Sequence, residues 1–412
     1  MKVAFVTWEY PPAIVGGLGT YSYYMSRWMA RLGNYVSVYS PLTPGPEPSI
    51  EPTKGLEVNW VQLPDLSTGL RPALSEEIRG WGDGVKFFNN VLVFNSATSS
   101  LLTKRTLEGE FDLVVYNDWL CALIGIAISN LHKIPTAYHV HSTEWGRALG
   151  RGSLTVSQIE RAGAETASVV ITVSHAMRED LQAHGWPTEK IRVVWNGVDP
   201  DVYDPSSIDP SEVERIRGRY GVGPDESLIL FVGRLVPVKG ARELVESMPH
   251  VLSEFPKTKL VILGKGDMEG ELNGLIRGLG LSGRVILRSE FVSERERILH
   301  YAASDVCVFP SLYEPFGIVS LEAMAMERPV VVGARGVVGF REQVVPSGEK
   351  QCGIHVDGSN PLDIAWGIKE VLRYPDRAKL MGKNGRQRVL DEFTWEKAAR
   401  RTLEIYSQLL NY

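Results

Sequence analysis

The chain has few cysteines and no long apolar run. Its 412 residues include three cysteines, Cys121, Cys307 and Cys352, which lie far apart and form no C-x-x-C pair. A disulfide framework is therefore excluded, and a reducing, intracellular setting is expected. No stretch approaches the roughly 18 uninterrupted apolar residues that a transmembrane helix needs. Because the opening MKVAFVTW is typical of a first strand and not of a signal peptide, we expect a soluble, cytoplasmic protein without a transmembrane segment.

The chain also lacks an excess of positive charge. It has 44 Lys and Arg residues against 49 Asp and Glu, a formal net charge of −5. This balance argues against nucleic acid or an anionic membrane as the main partner. An anionic ligand must therefore be held by a local site. The sequence contains no signal for the oligomeric state.

Short apolar runs alternate with longer amphipathic segments along most of the chain. The runs are KVAFVTW, YVSVYS, DLVVYN, IPTAYHVH, SVVITVS, IRVVWNG, LILFVGR, TKLVILGKG, RVILRS, VCVFPS and RPVVVGA. This alternation predicts parallel sheets covered on both faces by helices. The Asp-, Pro- and Ser-rich stretch 199–226 interrupts it and predicts a domain junction. We therefore predict an α/β protein of two Rossmann-like, doubly wound domains, 1–200 and 201–392, facing across a cleft, with a C-terminal amphipathic helix in 393–412.

A glycine loop, Gly16-Gly17-Leu18-Gly19, follows the first strand and precedes a helix. It does not match G-x-G-x-x-G, and no acidic residue ends the second strand, so a dinucleotide site is discounted. The amide groups at the start of the helix could receive an anion, and glycines permit its close approach. The alternative is a turn that needs glycine only for a positive φ.

Cations and carboxylates follow two strands of the second half. Arg234 and Lys239 come within six positions after the strand LILFVG, where they suit a diphosphate or form a surface ion pair. In SLYEPFGIVSLE, Pro315 predicts the first residue of a helix with Glu314 at its cap and free amides at 316–318. Glu322 would then lie about 12 Å further along that helix, at about 1.5 Å per residue. The alternative is one capping and one solvated glutamate.

Polar residues also end two strands of the first half. Asp118 follows DLVVYN, and His139 and His141 lie at the end of IPTAYHVH. We predict a core position for His139 and a site position for His141. A zinc site built on H-x-H has no third ligand at a diagnostic spacing, so we predict no metal. The pair Asp199-Pro-Asp201 could hold a metal against a diphosphate, but its composition favours a turn.

Taken together, the motifs resemble those of the retaining GT-B glycosyltransferases, in the group of the glycogen and starch synthases and related α-glucan synthases. The matching stretches run in order over nearly the whole chain: WEYPP-x-x-x-GGLG at 8–19, NDWL at 117–120, HSTE-x-GR at 141–147, NGVD at 196–199, VGRL-x-x-x-KG at 232–240, GKGD at 264–267 and EPFGIVSLEAM at 314–324. The resemblance implies two Rossmann-like domains, with the last helix crossing back to the first.

The resemblance also implies roles for single residues. A nucleotide-diphosphate sugar would be the donor and a carbohydrate the acceptor, with no cofactor or metal. Arg234 and Lys239 would bind the diphosphate, Glu322 the ribose, and Glu314 the donor sugar, which His141 and Asp118 would also face. The implied donor-binding set is Gly16, Gly17, Leu18, Gly19, Arg234, Lys239, Gly264, Glu314, Phe316, Gly317, Ile318, Val319 and Glu322. The catalytic set is His141, Asp118, Arg234, Lys239 and Glu314.

Three positions depart from the family pattern. Ile14 stands in place of a lysine, Asn117 in place of a histidine, and Gly339-Phe340-Arg341-Glu342 in place of Gly-Leu-x-Asp. They leave the donor base and the acceptor open. The leading expectation is transfer of glucose from ADP- or UDP-glucose to an α-glucan. The alternatives are a small-molecule, lipid or glycan acceptor, as in trehalose or sucrose-type synthases or mannosyltransferases, and a sugar- or nucleotide-binding module without catalysis.

Overall fold

The computed structural model describes residues 1–42, 52–70, 72, 74–131, 134–290 and 292–411. The chain divides into two compact units. Unit 1 comprises Met1–Val173, Arg178–Trp195 and Trp395–Tyr412, and unit 2 comprises Ser174–Met177 and Asn196–Thr394. The predicted domain boundaries lie after residues 200 and 392, and the units of the structure divide after Trp195 and Thr394.

Unit 1 contains a parallel sheet in the order β3-β2-β1-β4-β5-β6-β7. Its strands are β1 (Lys2–Val6), β2 (Tyr35–Pro41), β3 (Leu56–Val61), β4 (Leu113–Asn117), β5 (Thr136–Val140), β6 (Val169–Thr172) and β7 (Ile191–Val193). The helices up to β7 are α1 (Gly17–Arg31), α2 (Ser67–Leu70), α3 (Glu76–Arg79), α4 (Gly84–Leu107), α5 (Ala122–Leu131), α6 (Glu144–Arg147), α7 (Leu154–Thr166) and α8 (His175–Ala183). This strand order is that of a doubly wound fold.

Unit 2 contains a second parallel sheet, in the order β10-β9-β8-β11-β12-β13. Its strands are β8 (Ser227–Val232), β9 (Thr258–Leu263), β10 (Val285–Arg288), β11 (Val306–Phe309), β12 (Val330–Gly333) and β13 (Gly353–Val356). The remaining helices are α9 (Pro210–Arg219), α10 (Ala241–Leu252), α11 (Glu269–Gly278), α12 (Glu294–Ala303), α13 (Ile318–Ala325), α14 (Phe340–Gln343), α15 (Pro361–Arg373), α16 (Pro375–Glu392) and α17 (Trp395–Leu410), the last of which belongs to unit 1. The predicted α/β class with two parallel-sheet domains is confirmed.

Burial explains which strands the sequence pattern finds. The central strands, such as β4 and β11, are buried along their whole length and read as continuous apolar runs. The pattern misses β3 and β13, which lie at the edges of their sheets. β3 is half-buried over most of its length, and β13 has only four residues, one of them a histidine.

The last helix, α17, packs on α1 within unit 1. The Trp395 ring stacks on Tyr24 with 5.4 Å between ring centroids. Further along α17, the Tyr406 hydroxyl lies 2.7 Å from Nε2 of the buried His139. Both Trp395 and Tyr406 are buried, so α17 completes the core of unit 1.

Within the described part of the chain, no helix combines the length and apolar character required to cross a membrane.

Candidate functional site

Three loops of unit 2 lie side by side where parallel strands end. They follow β9, β8 and β11, which are neighbours in the sheet. The Leu235 amide donates to the Lys265 carbonyl at 2.8 Å, and the Leu312 amide donates to the Val238 carbonyl at 2.8 Å. Gly264 permits this close approach of the loops, because a Cβ at this position would lie 1.8 Å from the Gly233 carbonyl oxygen. In parallel α/β sheets, the crevice beyond these strand ends is the usual place for a ligand.

This edge carries two cations and a carboxylate. Lys239 Nζ donates to Glu314 Oε2 in an ion pair whose side chains are 20% and 10% exposed. Arg234 is exposed, and its guanidinium has no partner among the described residues. The structure therefore joins Lys239 to Glu314 and leaves Arg234 beside the same strand available for an anion.

The helix after Glu314 begins later than the sequence predicts. Pro315 and Glu314 precede α13, which starts at Ile318 with Gly317 at its N-cap and a φ of 87°. The predicted helix start at Pro315 and the capping role of Glu314 are therefore wrong, whereas donor binding by the amides at 316–318 stays a prediction. Glu314 instead lies in an extended segment, where its amide donates to the Val337 carbonyl at 2.9 Å. The first turn of α13 begins with Ile318 and Val319, and the backbone amides of this turn have no acceptor within the helix.

Gly317 is required at this turn for two reasons. Its φ of 87° disfavours a side chain, and a Cβ would lie 2.0 Å from Phe340 Cε1. Phe316 is buried, and its carbonyl accepts from Gln343 Nε2 at 2.8 Å. Phe316 and Gly317 therefore fix the start of α13 through packing, and no side chain caps that helix end.

Glu322 lies on α13 and is held by three donors from within unit 2. Its Oε1 accepts from the Tyr203 hydroxyl at 2.9 Å and from Arg297 Nη2 at 3.2 Å, and its Oε2 accepts from the Tyr301 hydroxyl at 2.8 Å. Glu322 is 5% exposed, and its charge raises the pKa of Arg297. The partners lie 119, 25 and 21 residues from Glu322 along the chain, so no local pattern predicts them. The result is a buried carboxylate in one fixed orientation.

The glycine loop of unit 1 already holds an anion, which is the chain's own Glu9. Glu9 Oε2 accepts from the amides of Val15 at 3.0 Å, Gly16 at 3.0 Å and Gly19 at 3.2 Å. Gly16 is extended, with a φ of −163°, and none of the three loop glycines has a positive φ, so the turn interpretation is wrong.

Close approach of the loop to Glu9 is what requires glycine. A Cβ on Gly19 would lie 2.9 Å from Ile14 Cγ2 and 3.1 Å from Glu9 Oε2. α1 starts at Gly17, and Leu18 is buried in its first turn. Glu9 lies within the motif WEYPP, but no local signal in the sequence marks it as the ligand of the loop amides.

Asp118 and His141 meet at the carboxyl ends of β4 and β5. Asp118 Oδ1 accepts from the His141 amide at 2.7 Å, and burial raises the pKa of Asp118 to about 6. Asp118 has a φ of 53°, a conformation that costs a non-glycine residue free energy and that is found at functional sites. Asp118 therefore orients the backbone of the loop that carries His141.

The tautomer of His141 follows from its neighbour Asn117. Asn117 Nδ2 donates to the Val6 carbonyl at 2.8 Å, so its Oδ1 faces His141 Nε2, at 3.3 Å, as an acceptor. His141 Nε2 must then carry the proton, which leaves Nδ1 as an acceptor. Burial lowers the pKa of His141 to about 3, so the ring is neutral. The ring packs 4.2 Å from that of Tyr21, between centroids.

His139 is a core residue, as expected. Its Nδ1 lies 2.7 Å from the Tyr21 hydroxyl and its Nε2 lies 2.7 Å from the Tyr406 hydroxyl, and burial lowers its pKa well below the usual value. Asp199 lies in a turn, which is the interpretation that the composition of the Asp199-Pro-Asp201 stretch favours. Its Oδ1 accepts from the Asp201 amide at 3.1 Å. Among the described residues, no three His, Cys, Asp or Glu side chains form a group that could hold a metal ion.

Comparison with known proteins identifies the class. Residues 15–202 match the model of Glycosyltransferase Family 4, and residues 212–388 match that of Glycosyl transferases group 1. The two parallel-sheet units match the GT-B glycosyltransferase fold. The chain is a glycosyltransferase, and it belongs to the GT4 type of that family, as the sequence motifs predict.

Three similar proteins cover the chain almost end to end. An uncharacterised glycosyltransferase of Methanocaldococcus jannaschii is 33% identical over 413 residues, 98% of each chain. A glycogen synthase of Mycobacterium tuberculosis is 29% identical, over 98% of this chain and 94% of its own. The structure of a sucrose-phosphate synthase from Thermosynechococcus elongatus superposes with a TM-score of 0.81 at 25% identity, over 100% and 99%.

Proposed function

We propose that the chain is a retaining glucosyltransferase that transfers glucose from ADP- or UDP-glucose to an α-glucan. The observation that carries this proposal is the Lys239–Glu314 ion pair beside the unpartnered Arg234, at the carboxyl end of the unit 2 sheet. Two cations and a carboxylate in one crevice suit a ligand with a charged diphosphate and a neutral sugar.

In this proposal, donor binding exchanges the partner of Lys239. A phosphate oxygen takes the place of the Glu314 carboxylate, which then accepts hydrogen bonds from sugar hydroxyls. Arg234 adds a forked donor to the diphosphate, and the first amides of α13, Ile318 and Val319, complete the donor set. Because Glu314 holds Lys239 in place before the donor arrives, little side-chain entropy is lost on binding.

Glu322 is the proposed ribose ligand. Its three protein donors leave lone pairs on a carboxylate that accepts about four hydrogen bonds in all. A ribose hydroxyl would therefore meet an acceptor whose position is already fixed. Replacement of Glu322 by glutamine would put an amide donor among the hydroxyl and guanidinium donors and weaken donor binding.

In unit 1, His141 is the proposed sugar-facing residue, and Asp118 and Asn117 position it. The free Nδ1 of the neutral ring can accept a hydrogen bond from a sugar hydroxyl. The Gly16–Gly19 loop enters the proposal in a modified form, because a donor phosphate can bind its amides only in competition with Glu9. The Ile14 side chain, where glycogen synthases have a lysine, supplies no charge that would attract a phosphate to this loop.

The proposed mechanism places negative charge on the leaving diphosphate, next to Arg234 and Lys239. These two cations and the first amides of α13 stabilise that charge. The leaving diphosphate deprotonates the acceptor hydroxyl on the same face, and the anomeric configuration is retained. The proposal needs no metal, so we expect EDTA to leave the initial rate nearly unchanged. Complete loss in EDTA, restored by Mn²⁺, would refute metal independence.

The acceptor is tested by product analysis. Purified protein is incubated with each of ADP-glucose, UDP-glucose and GDP-mannose, and with glycogen, maltoheptaose, fructose 6-phosphate or glucose 6-phosphate. We expect elongated maltoheptaose with α-linkages by NMR. The similarity to a sucrose-phosphate synthase structure supports a small-acceptor enzyme as the second candidate. Transfer to a hexose phosphate with no glucan elongation would establish that candidate, and absence of both transfer and donor hydrolysis would favour a binding module.

A further inference from the structure

A cavity lies in unit 1, and none of the site residues assigned above lines it. It has a volume of about 230 Å³ and lies between α6, α7 and the end of α8. Trp145 and Trp186 line it, together with Leu154 and His184. Trp145 is 49% exposed, a large aromatic surface to leave in water. Because most small-molecule sites measure roughly 300–1,000 Å³, this one suits a single ring and not a nucleotide.

The structure holds Trp145 rigidly at the rim. Thr143 Oγ1 caps α6 by accepting from the Gly146 amide at 3.2 Å. Arg147, on the same turn, donates to Glu144 at 3.0 Å and to the buried Glu160 at 3.3 Å. The Trp145 ring contacts His184, with 5.8 Å between centroids. The aromatic surface is therefore preformed.

Polar atoms without a protein partner surround this surface. Gln158 lines the cavity, and neither its amide nitrogen nor its oxygen has a partner among the described residues. Arg161 uses Nε for Glu165 at 2.9 Å, and its two terminal nitrogens have no bond within the described chain. His184 donates from Nδ1 to the Asp180 carbonyl at 2.8 Å, and its Nε2 has no partner among the described residues.

The carboxyl of Glu160 supplies the buried polar group of the cavity. Glu160 is 3% exposed, and its Oε1 accepts from the Glu144 amide at 2.8 Å and from Arg147. Its Oε2 has no partner in the described residues. Burial raises the pKa of Glu160 to about 8 and also raises that of Asp180. Arg161 uses only Nε for Glu165, so the cavity offers hydrogen-bond donors as well as the carboxyl acceptors.

We infer that this cavity binds one neutral sugar ring of a saccharide, stacked on Trp145 and hydrogen-bonded by Gln158, Glu160 and His184. An apolar ring face against an aromatic surface and hydroxyls toward unpaired polar atoms are what a pyranose offers. A phosphate group would bring negative charge beside the Asp180 carboxyl that lines the cavity, and a lipid chain would leave the polar atoms unsatisfied. That the saccharide is an α-glucan rests on the proposed function, because such an acceptor has further rings to bind outside the transfer site.

The test uses the full-length protein and titrates maltoheptaose, with calorimetry and saturation-transfer NMR as readouts. We expect binding that Trp145→Ala weakens at least tenfold and Gln158→Ala severalfold. The matched control is Trp366→Ala, because Trp366 is 48% exposed and lies in unit 2, outside the cavity. Thermal shifts with ADP and UDP should be equal in all four proteins, which shows that each variant is folded and keeps its donor site.

Four outcomes overturn the inference. The first two are equal binding of maltoheptaose by wild type and Trp145→Ala, and loss of that binding in Trp366→Ala alone. The others are a preference for glucose 1-phosphate over maltose, and binding of the Trp145 surface to phosphatidylcholine vesicles instead of saccharide. Failure of the proposed function is distinguishable. Trp145-dependent binding of maltoheptaose without any glucosyl transfer supports the cavity and refutes the transferase assignment. Glucan elongation without Trp145-dependent binding of maltoheptaose supports the transferase assignment and refutes the inference on the cavity.

Discussion

Replacement of Lys239 by methionine tests the ion pair on which the donor site is built. Both side chains of the pair are largely buried, 20% exposed for Lys239 and 10% for Glu314. Removal of one partner of a fully buried pair costs about 3–5 kcal/mol, because the other charge stays uncompensated. Since this pair keeps some contact with water, we expect Lys239→Met to lower the free energy of unfolding by about 2–3 kcal/mol.

The double variant Lys239→Met with Glu314→Gln separates stability from activity. It removes both charges, so we expect most of the lost stability to return. For a unit of about 200 residues, the single variant should lower the Tm by about 5–10 °C, and the double variant should recover most of that shift. Both should lose about 10²–10³-fold in kcat, the effect of removing a group that stabilises transition-state charge.

Lys259→Met is the matched control. Lys259 is 14% exposed and lies 4.0 Å from Glu226 at the opposite end of the unit 2 sheet, where β9 begins. We expect Lys259→Met to lower the free energy of unfolding and to keep the wild-type kcat at temperatures below its Tm. Denaturant melts and initial rates with saturating donor check all three proteins. Normal activity in Lys239→Met, or a double variant as unstable as the single one, would refute the reasoning.

Three further predictions concern single residues. Gly317→Ala should cost about 3 kcal/mol through strain and overpacking, whereas Gly274→Ala, in α11 with no atom within 4 Å of its Cβ, should stabilise unit 2 in urea melts. Glu9→Gln keeps an acceptor and removes a charge, so the donor KM should fall about two- to fivefold, and a rise would contradict competition with phosphate. Because burial raises the pKa of Asp118 to about 6, the free energy of unfolding of wild type should fall by about 2 kcal/mol relative to that of Asp118→Asn as pH rises from 4 to 6; parallel pH profiles of the two proteins would refute this.

The fold was predictable wherever burial is complete. The central strands of each sheet show as apolar runs because helices cover both faces. β3 was not found because it is mostly half-buried and carries polar residues, and β13 was not found because it has only four residues, one of them a histidine. The start of α13 was misplaced because Pro315 is a local signal, while contacts of Gly317 with Phe340 and of Glu314 with Val337 decide the turn. Local propensity is overridden by such tertiary contacts.

The site was predictable only in part, for a related reason. Motifs located Lys239, Glu314 and Glu322 because each motif is a short local stretch. The donors that hold Glu322, Tyr203 and Arg297 among them, lie 119 and 25 residues away from it along the chain. No spacing rule connects them to Glu322. Glu9 was visible within WEYPP, but its contact with the loop amides depends on how the chain folds back on itself.

The place of α17 in unit 1 has a consequence for synthesis of the chain. The first two segments of unit 1, Met1–Val173 and Arg178–Trp195, are made first, and the whole of Asn196–Thr394 must follow before Trp395 and Tyr406 exist. At about 5–20 residues per second, this interval lasts roughly 10–40 s. During it, Tyr24 lacks its stacking partner, and His139 lacks one of its two tyrosine hydroxyls. Unit 1 therefore completes its fold after unit 2 has been synthesised, and a nascent chain stalled before α17 leaves the Tyr24 ring without the cover of Trp395.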